Sequence, residues 1–217
     1  MKSELIDFFG NDLMVVNAAR VSYGKNKTIF DLSDEKLIKY LVKHNHTSPF
    51  RHPQLQFRIE CPIFVERQLF KHQVGLTANS ISGRYVDFSD SYYIPKQLRL
   101  QSKDSKQGSA GVLNTSDNLK FCELIDDLVD QCADLYNKLC LAGVAKEQAR
   151  MILPLCLNTQ FIWTGSLAAF IHMWQLRLKT DAQQETREIA DAMLQQVANL
   201  EGSPFQHTLS AFGLDNR

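Results

Sequence analysis

The segment from Glu66 to Tyr85, ERQLFKHQVGLTANSISGRY, concentrates side chains that could bind an anionic ligand. Cations, amides, hydroxyls and glycines are mixed within it, and such groups donate hydrogen bonds to phosphate and carboxylate oxygens. A core helix whose long cations reach outward would share the first half of this pattern. The second half ends in Ser82-Gly83-Arg84, and because an arginine can bind a phosphate through two parallel bonds, it favours a phosphate site.

Two elements must hold this segment in place. The residues 54–61 alternate apolar Leu55, Phe57 and Ile59 with polar neighbours, which predicts a half-buried antiparallel strand. Pro62 suits the first turn of a helix, and the residues after it are apolar on almost every side, which predicts a buried helix. Because polar groups in a buried helix must pair or line a cleft, the sequence predicts a cleft beside this helix.

Capping and periodicity signals predict the other elements along the chain. Strands are predicted at residues 4–9 and 157–164, with a further strand-like segment starting at Ser82. Helices are predicted at 13–22 after Asn11 or Asp12, at 34–43 after Ser33, at 117–142 after Ser116, and at 145–153, 166–177 and 183–200, with a short helix in the tail. The polar residues 101–111 are predicted to form a mobile surface loop.

Composition narrows the class of protein. The chain has 217 residues, enough for one sizeable domain over residues 1–217, and its 24 cationic residues balance its 24 anionic residues. This balance, with no long apolar run, favours neither a nucleic acid nor a membrane as partner. Five cysteines without a CxxC pair indicate reduced thiols, a cytoplasmic location and no zinc site. The histidines at 44, 46 and 52 lack acidic or cysteine neighbours, so no metal site is predicted.

Several motifs together resemble the family of flavin-dependent thymidylate synthases. That family's motif is Arg-His-Arg, seven residues, then Ser-Gly-Arg-Tyr, and this chain has Lys71-His72-Gln73, eight residues, then residues 82–85. The Asn-Glu that precedes the family's serine is Asn79-Ser80 here, so a carboxylate is missing. Further similar segments follow in the same order along the chain: AARVS at 18–22, HTSPFRH at 46–52, YYIP at 92–95, AR at 149–150, LP at 153–154, LR at 176–177 and AQ at 182–183.

The resemblance implies an α+β fold with a central antiparallel sheet flanked by helices. It also implies a homotetramer that binds FAD and a pyrimidine deoxynucleotide at subunit interfaces, with methylene-tetrahydrofolate and NADPH as co-substrates. The implied catalytic residues are Ser82, Arg177 and His46. The implied nucleotide-binding residues are Gln68, Ser80, Ser82, Gly83, Arg84, Arg150 and Arg177. The implied flavin-binding residues are Ser22, Ser48, Lys71, His72, Gln73, Val74, Asn79, Ser166, His172 and Asp181.

The cysteines provide a separate argument about mechanism. A thymidylate synthase that attacks the pyrimidine with cysteine needs a thiolate in an electropositive site. Cys61 lies on the predicted strand, Cys156 lies in an apolar run, and the other three lie on the long helix, so none has such a setting. Chemistry driven by a flavin, with a folate supplying the carbon, is therefore favoured.

Two other functions remain open at this stage. The changes at Gln73, Ser80 and Asp181 surround the implied site and would also suit a hydroxymethylase acting on dCMP or dUMP within the same family. The more distant alternative is a protein that binds a flavin or nucleotide without catalysis. We predict reductive methylation of dUMP to dTMP, because the base-facing Ser82 and Arg177 are both present.

Overall fold

A computed structural model describes residues 1–86, 91–103 and 108–215 of the chain. Its strands are β1 (Lys2–Phe9), β2 (Gln54–Pro62), β3 (Leu76–Ser80), β4 (Arg99–Gln101), β5 (Ser109–Val112) and β6 (Asn158–Ser166). Four of them form an antiparallel sheet in the order β1-β2-β6-β3, while β4 and β5 pair separately as a hairpin. This sheet confirms the predicted α+β class.

Helices pack against this sheet, and an α-helix overlaps each of the predicted helical segments. They are α1 (Asp12–Arg20), α2 (Leu32–Lys43), α3 (Ile63–Leu69), α4 (Thr115–Leu141), α5 (Lys146–Ala149), α6 (Leu167–Arg177), α7 (Gln184–Ala198) and α8 (Gln206–Ala211). Short 3-10 turns lie at Val21–Tyr23, Ser48–Arg51 and Arg150–Ile152. The last of these replaces the second half of the helix predicted at 145–153, so Arg150 lies in a 3-10 turn.

The main core lies between the sheet and the helices α3, α6 and α7. The ring of Phe170 on α6 lies 5.2 Å from that of Phe57 on β2 and 5.3 Å from that of Trp163 on β6. All three side chains are buried, and fully burying each one contributes about 1.5–3 kcal/mol. This packing fixes β6 and α6 relative to each other, and two of the predicted site residues, Ser166 and Arg177, lie at their ends.

The helix caps differ from two of the predictions. Asn11 caps α1 as predicted, accepting a hydrogen bond from the amide of Met14 at 2.9 Å. The cap of α2 is Asp31 and not Ser33, because Asp31 and Asp34 form a capping box. The cap of α4 is Asn114, which accepts from the amide of Asp117 at 3.0 Å, and not Ser116.

Some strands lie where none was predicted. The polar stretch before Ser82 forms β3, whose residues pair one to one with β6. The partner strand supplies the ladder that this polar sequence does not predict by itself. The prediction of a strand-like segment starting at Ser82 is wrong for residues 82–85, which form a turn closed by the Tyr85 amide and the Ser82 carbonyl. The predicted loop at 101–111 also contains the end of β4 and the start of β5, whereas its residues 104–107 lie outside the described part.

Within the described ranges, no helix combines the length and apolar character needed to cross a membrane. In the same part of the chain, no three His, Cys, Asp or Glu side chains cluster in a way that could hold a metal ion.

Candidate functional site

Two glycines allow β3 to lie against the end of β6. Gly75 has a φ of 76°, a left-handed conformation that favours glycine, and its carbonyl accepts a hydrogen bond from the amide of Ser166 at 3.1 Å. A Cβ atom on Gly165 would lie 2.4 Å from the Gly75 carbonyl oxygen, so only glycine fits there. The close approach brings the end of β3, with Asn79 and Ser80, to the side of α3.

The carboxylate of Glu66 on α3 contacts Ser80 at the end of β3. The Ser80 hydroxyl donates a hydrogen bond to Oε1 of Glu66 over 3.1 Å. Ser80 is exposed and Glu66 is half-buried. Burial raises the pKa of the Glu66 carboxyl above its ordinary value, although the bond from Ser80 and the charge of Arg67 oppose this shift.

The structure also brings Gln68, His72 and Arg177 together. The Nε of Arg177 donates to Nε2 of His72 at 2.9 Å, and its NH2 donates to the Gln68 carbonyl oxygen at 3.3 Å. Burial lowers the pKa of His72 to about 4, and the charges of Arg177 and His172 act in the same direction. His72 is therefore neutral near pH 7 and accepts through Nε2, which directs the guanidinium of Arg177.

A partly buried network fixes the side chain of Gln68. Its Nε2 donates to Oε1 of Gln183, and its Oε1 accepts from the hydroxyl of Thr186 at 3.3 Å. Gln183 in turn donates to Oε2 of Glu185 at 3.0 Å. Because both amide ends of Gln68 have partners, its orientation is set by α7 and by Gln183 just before it.

Glu185 joins this network to the hairpin. It is 3% exposed, and NH2 of Arg99 lies 2.7 Å from each of its oxygens, while the hydroxyl of Tyr93 donates over 3.3 Å. Burial acts to raise the pKa of Glu185, but the bonds from Arg99 and Gln183 outweigh it, so its pKa lies below the ordinary value. Sequence reasoning missed Arg99, Glu185 and Thr186, and the signals nearby were the family-like YYIP and AQ segments at 92–95 and 182–183.

A cavity of about 400 Å³ lies beside the pair of histidines. It brings together three predicted flavin-binding residues, Val74, Ser166 and His172, and its lining is completed by Thr47, Arg51, Gly75, Ala168 and Ala169. The ring of His172 lies 6.0 Å from that of His72. The small residues of this lining leave room for a flat ring, and its hydroxyl, imidazole and guanidinium groups can bind the polar atoms of such a ring, so these residues fit part of a flavin.

Comparison with known proteins identifies the family. The model of the family described as thymidylate synthase complementing protein matches residues 4–200. The chain belongs to the family of flavin-dependent thymidylate synthases. The flavin-dependent thymidylate synthase of Kosmotoga olearia is 40% identical over 189 residues, covering 87% of this chain and 81% of that protein. An enzyme of the same name from Thermus thermophilus is 41% identical over 190 residues, covering 87% of this chain and 68% of that protein.

A solved structure is similar over almost the whole chain. The UMP/dUMP methylase PolB from Streptomyces cacaoi, bound with 5-Br dUMP, superposes with a TM-score of 0.87 at 29% identity. The match covers 98% of this chain and 94% of PolB. These relatives confirm the predicted family and the prediction that this member is an enzyme.

Two cysteines of this family member, Cys61 and Cys156, are unsuited to act as nucleophiles. Burial raises the pKa of the Cys61 thiol to about 12, and burial also raises the pKa of Cys156. All five cysteines are free thiols. Because the thiolate is the reactive form, the two thiols with raised pKa values are inert near pH 7, as expected for flavin-driven chemistry.

The remaining predicted site residues make no side-chain contact with Gln68, His72 or Arg177 among the hydrogen bonds of the described residues. The guanidinium of Arg84 lies over the ring of Tyr85 at 5.2 Å, and Nε of Arg150 donates to the Glu147 carbonyl at 3.4 Å. Ser82 is half-buried, its hydroxyl accepts from the Arg84 amide at 3.3 Å, and the adjacent Gly83 is buried. The other predicted residues are all exposed: Ser22, His46, Ser48, Lys71, Gln73, Asn79 and Asp181.

Proposed function

We propose that the protein methylates dUMP at C5 to form dTMP, using FAD, methylene-tetrahydrofolate and NADPH. The observation that carries this proposal is the neutral His72 that directs Arg177 beside Gln68, next to a cavity lined by Val74, Ser166 and His172. When bound, the flavin supplies the reducing equivalents that turn the transferred carbon into a methyl group.

The residues of this chain bind and orient the reactants. Arg177 has donors beyond the two that contact His72 and Gln68, and these can donate to a pyrimidine carbonyl and draw electron density from the ring. Arg84 and Arg150 bind the 5′-phosphate, and Ser82 contacts the base or sugar. Val74, Ser166 and His172 hold the flavin ring in the cavity that they line.

A uracil nucleotide is favoured over a cytosine nucleotide. PolB, which matches 98% of this chain, is a UMP/dUMP methylase, and the curated relatives are thymidylate synthases. Mass spectrometry of the products formed from dUMP and from dCMP, each with methylene-tetrahydrofolate, FAD and NADPH, tests this choice. We expect dTMP from dUMP; a hydroxymethylated product from dCMP alone would contradict the proposal.

We also propose that the protein forms a homotetramer with its sites at subunit interfaces. On α4, six large apolar side chains are exposed, and an exposed apolar surface of this kind suits contact with another subunit: Leu119, Phe121, Leu124, Leu128, Leu135 and Leu141. The exposure of Arg84 and Arg150 is consistent with a site that another subunit completes. Size-exclusion chromatography with light scattering checks the subunit number. The free thiols support the predicted cytoplasmic location.

The phosphate assignment is tested with Arg84→Ala and Arg150→Ala. Each variant loses a charge-assisted hydrogen bond of about 1.5–3 kcal/mol, so dUMP affinity should fall roughly ten- to a hundredfold by calorimetry. FAD affinity should change far less. Arg58→Ala is the matched control, because Arg58 forms an exposed ion pair with Glu4 across β1 and β2. If both variants bind dUMP like the wild type, the phosphate is bound elsewhere.

A further inference from the structure

Glu66 is a half-buried carboxylate without a cationic partner. Among the ion pairs of the described residues, none includes Glu66. Its side-chain hydrogen bond comes from the exposed hydroxyl of Ser80 at 3.1 Å. A carboxylate that is partly withdrawn from water without a paired charge is unfavourable to stability, which is why burial raises its pKa. Such a group is a candidate for a role in function.

The bond to Glu66 determines what Ser80 can offer to a ligand. A serine hydroxyl has one proton, and here that proton points to Oε1 of Glu66. The lone pairs of Ser80 therefore face outward as acceptors, and the ionised carboxylate behind them is also acceptor-only. The pair presents a surface without donors at the end of β3, two residues before Ser82 and four before Arg84.

We propose that Glu66, acting through Ser80, makes this enzyme select uracil over cytosine. The inference rests on the proposed function, and it assigns to Glu66 on α3 the carboxylate that position 80 lacks. Uracil presents a donor at N3, whereas cytosine presents an acceptor at N3. An acceptor set by Glu66 pairs with the N3–H of uracil and leaves the N3 lone pair of cytosine facing another lone pair. Ser80 contacts the base, and Glu66 is a positioning residue.

The central test is Glu66→Gln, which keeps the shape of the side chain. The amide of glutamine can donate to Ser80, which frees the Ser80 proton to point toward the base. Isothermal titration of the FAD-loaded enzyme with dUMP and with dCMP should then show at least a tenfold fall in the dUMP-to-dCMP affinity ratio. Glu201→Gln is the control, because Glu201 is an exposed residue in the turn after α7, and its ratio should equal that of the wild type.

The pH dependence separates this role from a purely structural one. Protonation of Glu66 at low pH removes the charge and the acceptor that orient Ser80. The dUMP-to-dCMP affinity ratio of the wild type should therefore fall as the pH is lowered through the raised pKa of Glu66. Both nucleotides carry the same phosphate, so its titration cancels in the ratio, whereas protonation of cytosine N3 in acid does not cancel and acts in both proteins. The wild type should therefore show a larger pH dependence of the ratio than Glu66→Gln, and the difference between the two is the part that Glu66 contributes.

A second variant keeps the inference testable if Glu66→Gln does not fold. If circular dichroism shows that Glu66→Gln does not fold, Ser80→Ala tests the same relay, and its affinity ratio should also fall about tenfold or more. If both fold, the double variant should lose little beyond either single one, because the two residues act as one unit. An unchanged ratio in either folded variant overturns the inference. A wild-type enzyme that binds neither nucleotide would instead overturn the proposed function.

Discussion

Replacement of Glu185 by glutamine tests whether the network behind Gln68 is a structural support. The carboxylate is 3% exposed, and it accepts from Arg99, Tyr93 and Gln183 at distances of 2.7–3.3 Å. Glutamine has nearly the same shape, but it carries no charge and brings two donors where the site offers donors already. The amide NH2 of the glutamine would then face N–H groups that also donate, and Arg99 would lose its counter-ion.

The size of the effect follows from the burial of the two partners. Removing one member of a buried ion pair destabilises a protein by about 3–5 kcal/mol. The side chain of Arg99 is 24% exposed, so water partly solvates the guanidinium that is left behind. The glutamine carbonyl also keeps one acceptor. We therefore expect Glu185→Gln to lower the free energy of unfolding by about 2 kcal/mol.

Urea unfolding followed by circular dichroism measures this change. All variants must be compared at one protein concentration, because the stability of an oligomer depends on it. Arg99→Met and the double variant Arg99→Met/Glu185→Gln complete a cycle, in which we expect a coupling of about 1–3 kcal/mol. A loss below about 0.5 kcal/mol for Glu185→Gln, or strictly additive effects in the cycle, would refute the reasoning.

The stability that Glu185 contributes should depend on pH, and the lowered pKa of Glu185 fixes the direction of this dependence. The pKa of Glu185 in the folded protein lies below its ordinary value of 4.5. The ionised carboxylate therefore stabilises the folded state fully above pH 4.5, and this contribution is lost as the pH falls through the folded pKa. The difference in stability between wild type and Glu185→Gln should accordingly shrink in acid, as long as both proteins remain folded.

Two further substitutions test other features. Gly165→Ala would set a Cβ 2.4 Å from the Gly75 carbonyl oxygen, so we expect β3 to shift, a stability loss of about 1–3 kcal/mol in urea and weaker dUMP binding by calorimetry; wild-type values would mean that the strands separate easily. Cys156→Ala should keep the wild-type kcat for dTMP formation, because burial raises the pKa of this thiol and no step uses it; a loss of turnover in a folded variant would point to a cysteine nucleophile.

Elements with a clear internal period could be predicted from the sequence. β2 is the best example, since Leu55, Phe57 and Ile59 are all buried, as their alternation indicates. β3 could not be predicted, because its polar residues become a strand only through pairing with β6, about eighty residues further along the chain. The cap of α4 shows a different limit, since Asn114 and Ser116 are both good capping residues and the sequence does not decide between them.

In the candidate site, too, some residues could be predicted from the sequence and others could not. Gln68, His72 and Arg177 were found through the family motifs, and the structure brings them into contact. The groups that orient them were missed, because Arg99 and Glu185 are 86 residues apart and each resembles an ordinary charged surface residue in the sequence. Ion pairs between distant segments follow from tertiary packing, for which neither residue type nor local spacing provides a signal.

The regular pairing of β3 also explains how the chain carries one more residue than the family motif. The match of Asn79-Ser80 to the family's Asn-Glu confines the extra residue to the stretch between Gln73 and Asn79. β3 pairs with β6 without a bulge, and we infer that the extra residue is accommodated in the turn at Val74-Gly75. Successive side chains of a strand face opposite sides, and an insertion within β3 would have turned Ser80 away from α3. An insertion in the turn changes the length of the loop but preserves the side of the sheet on which Ser80 meets Glu66.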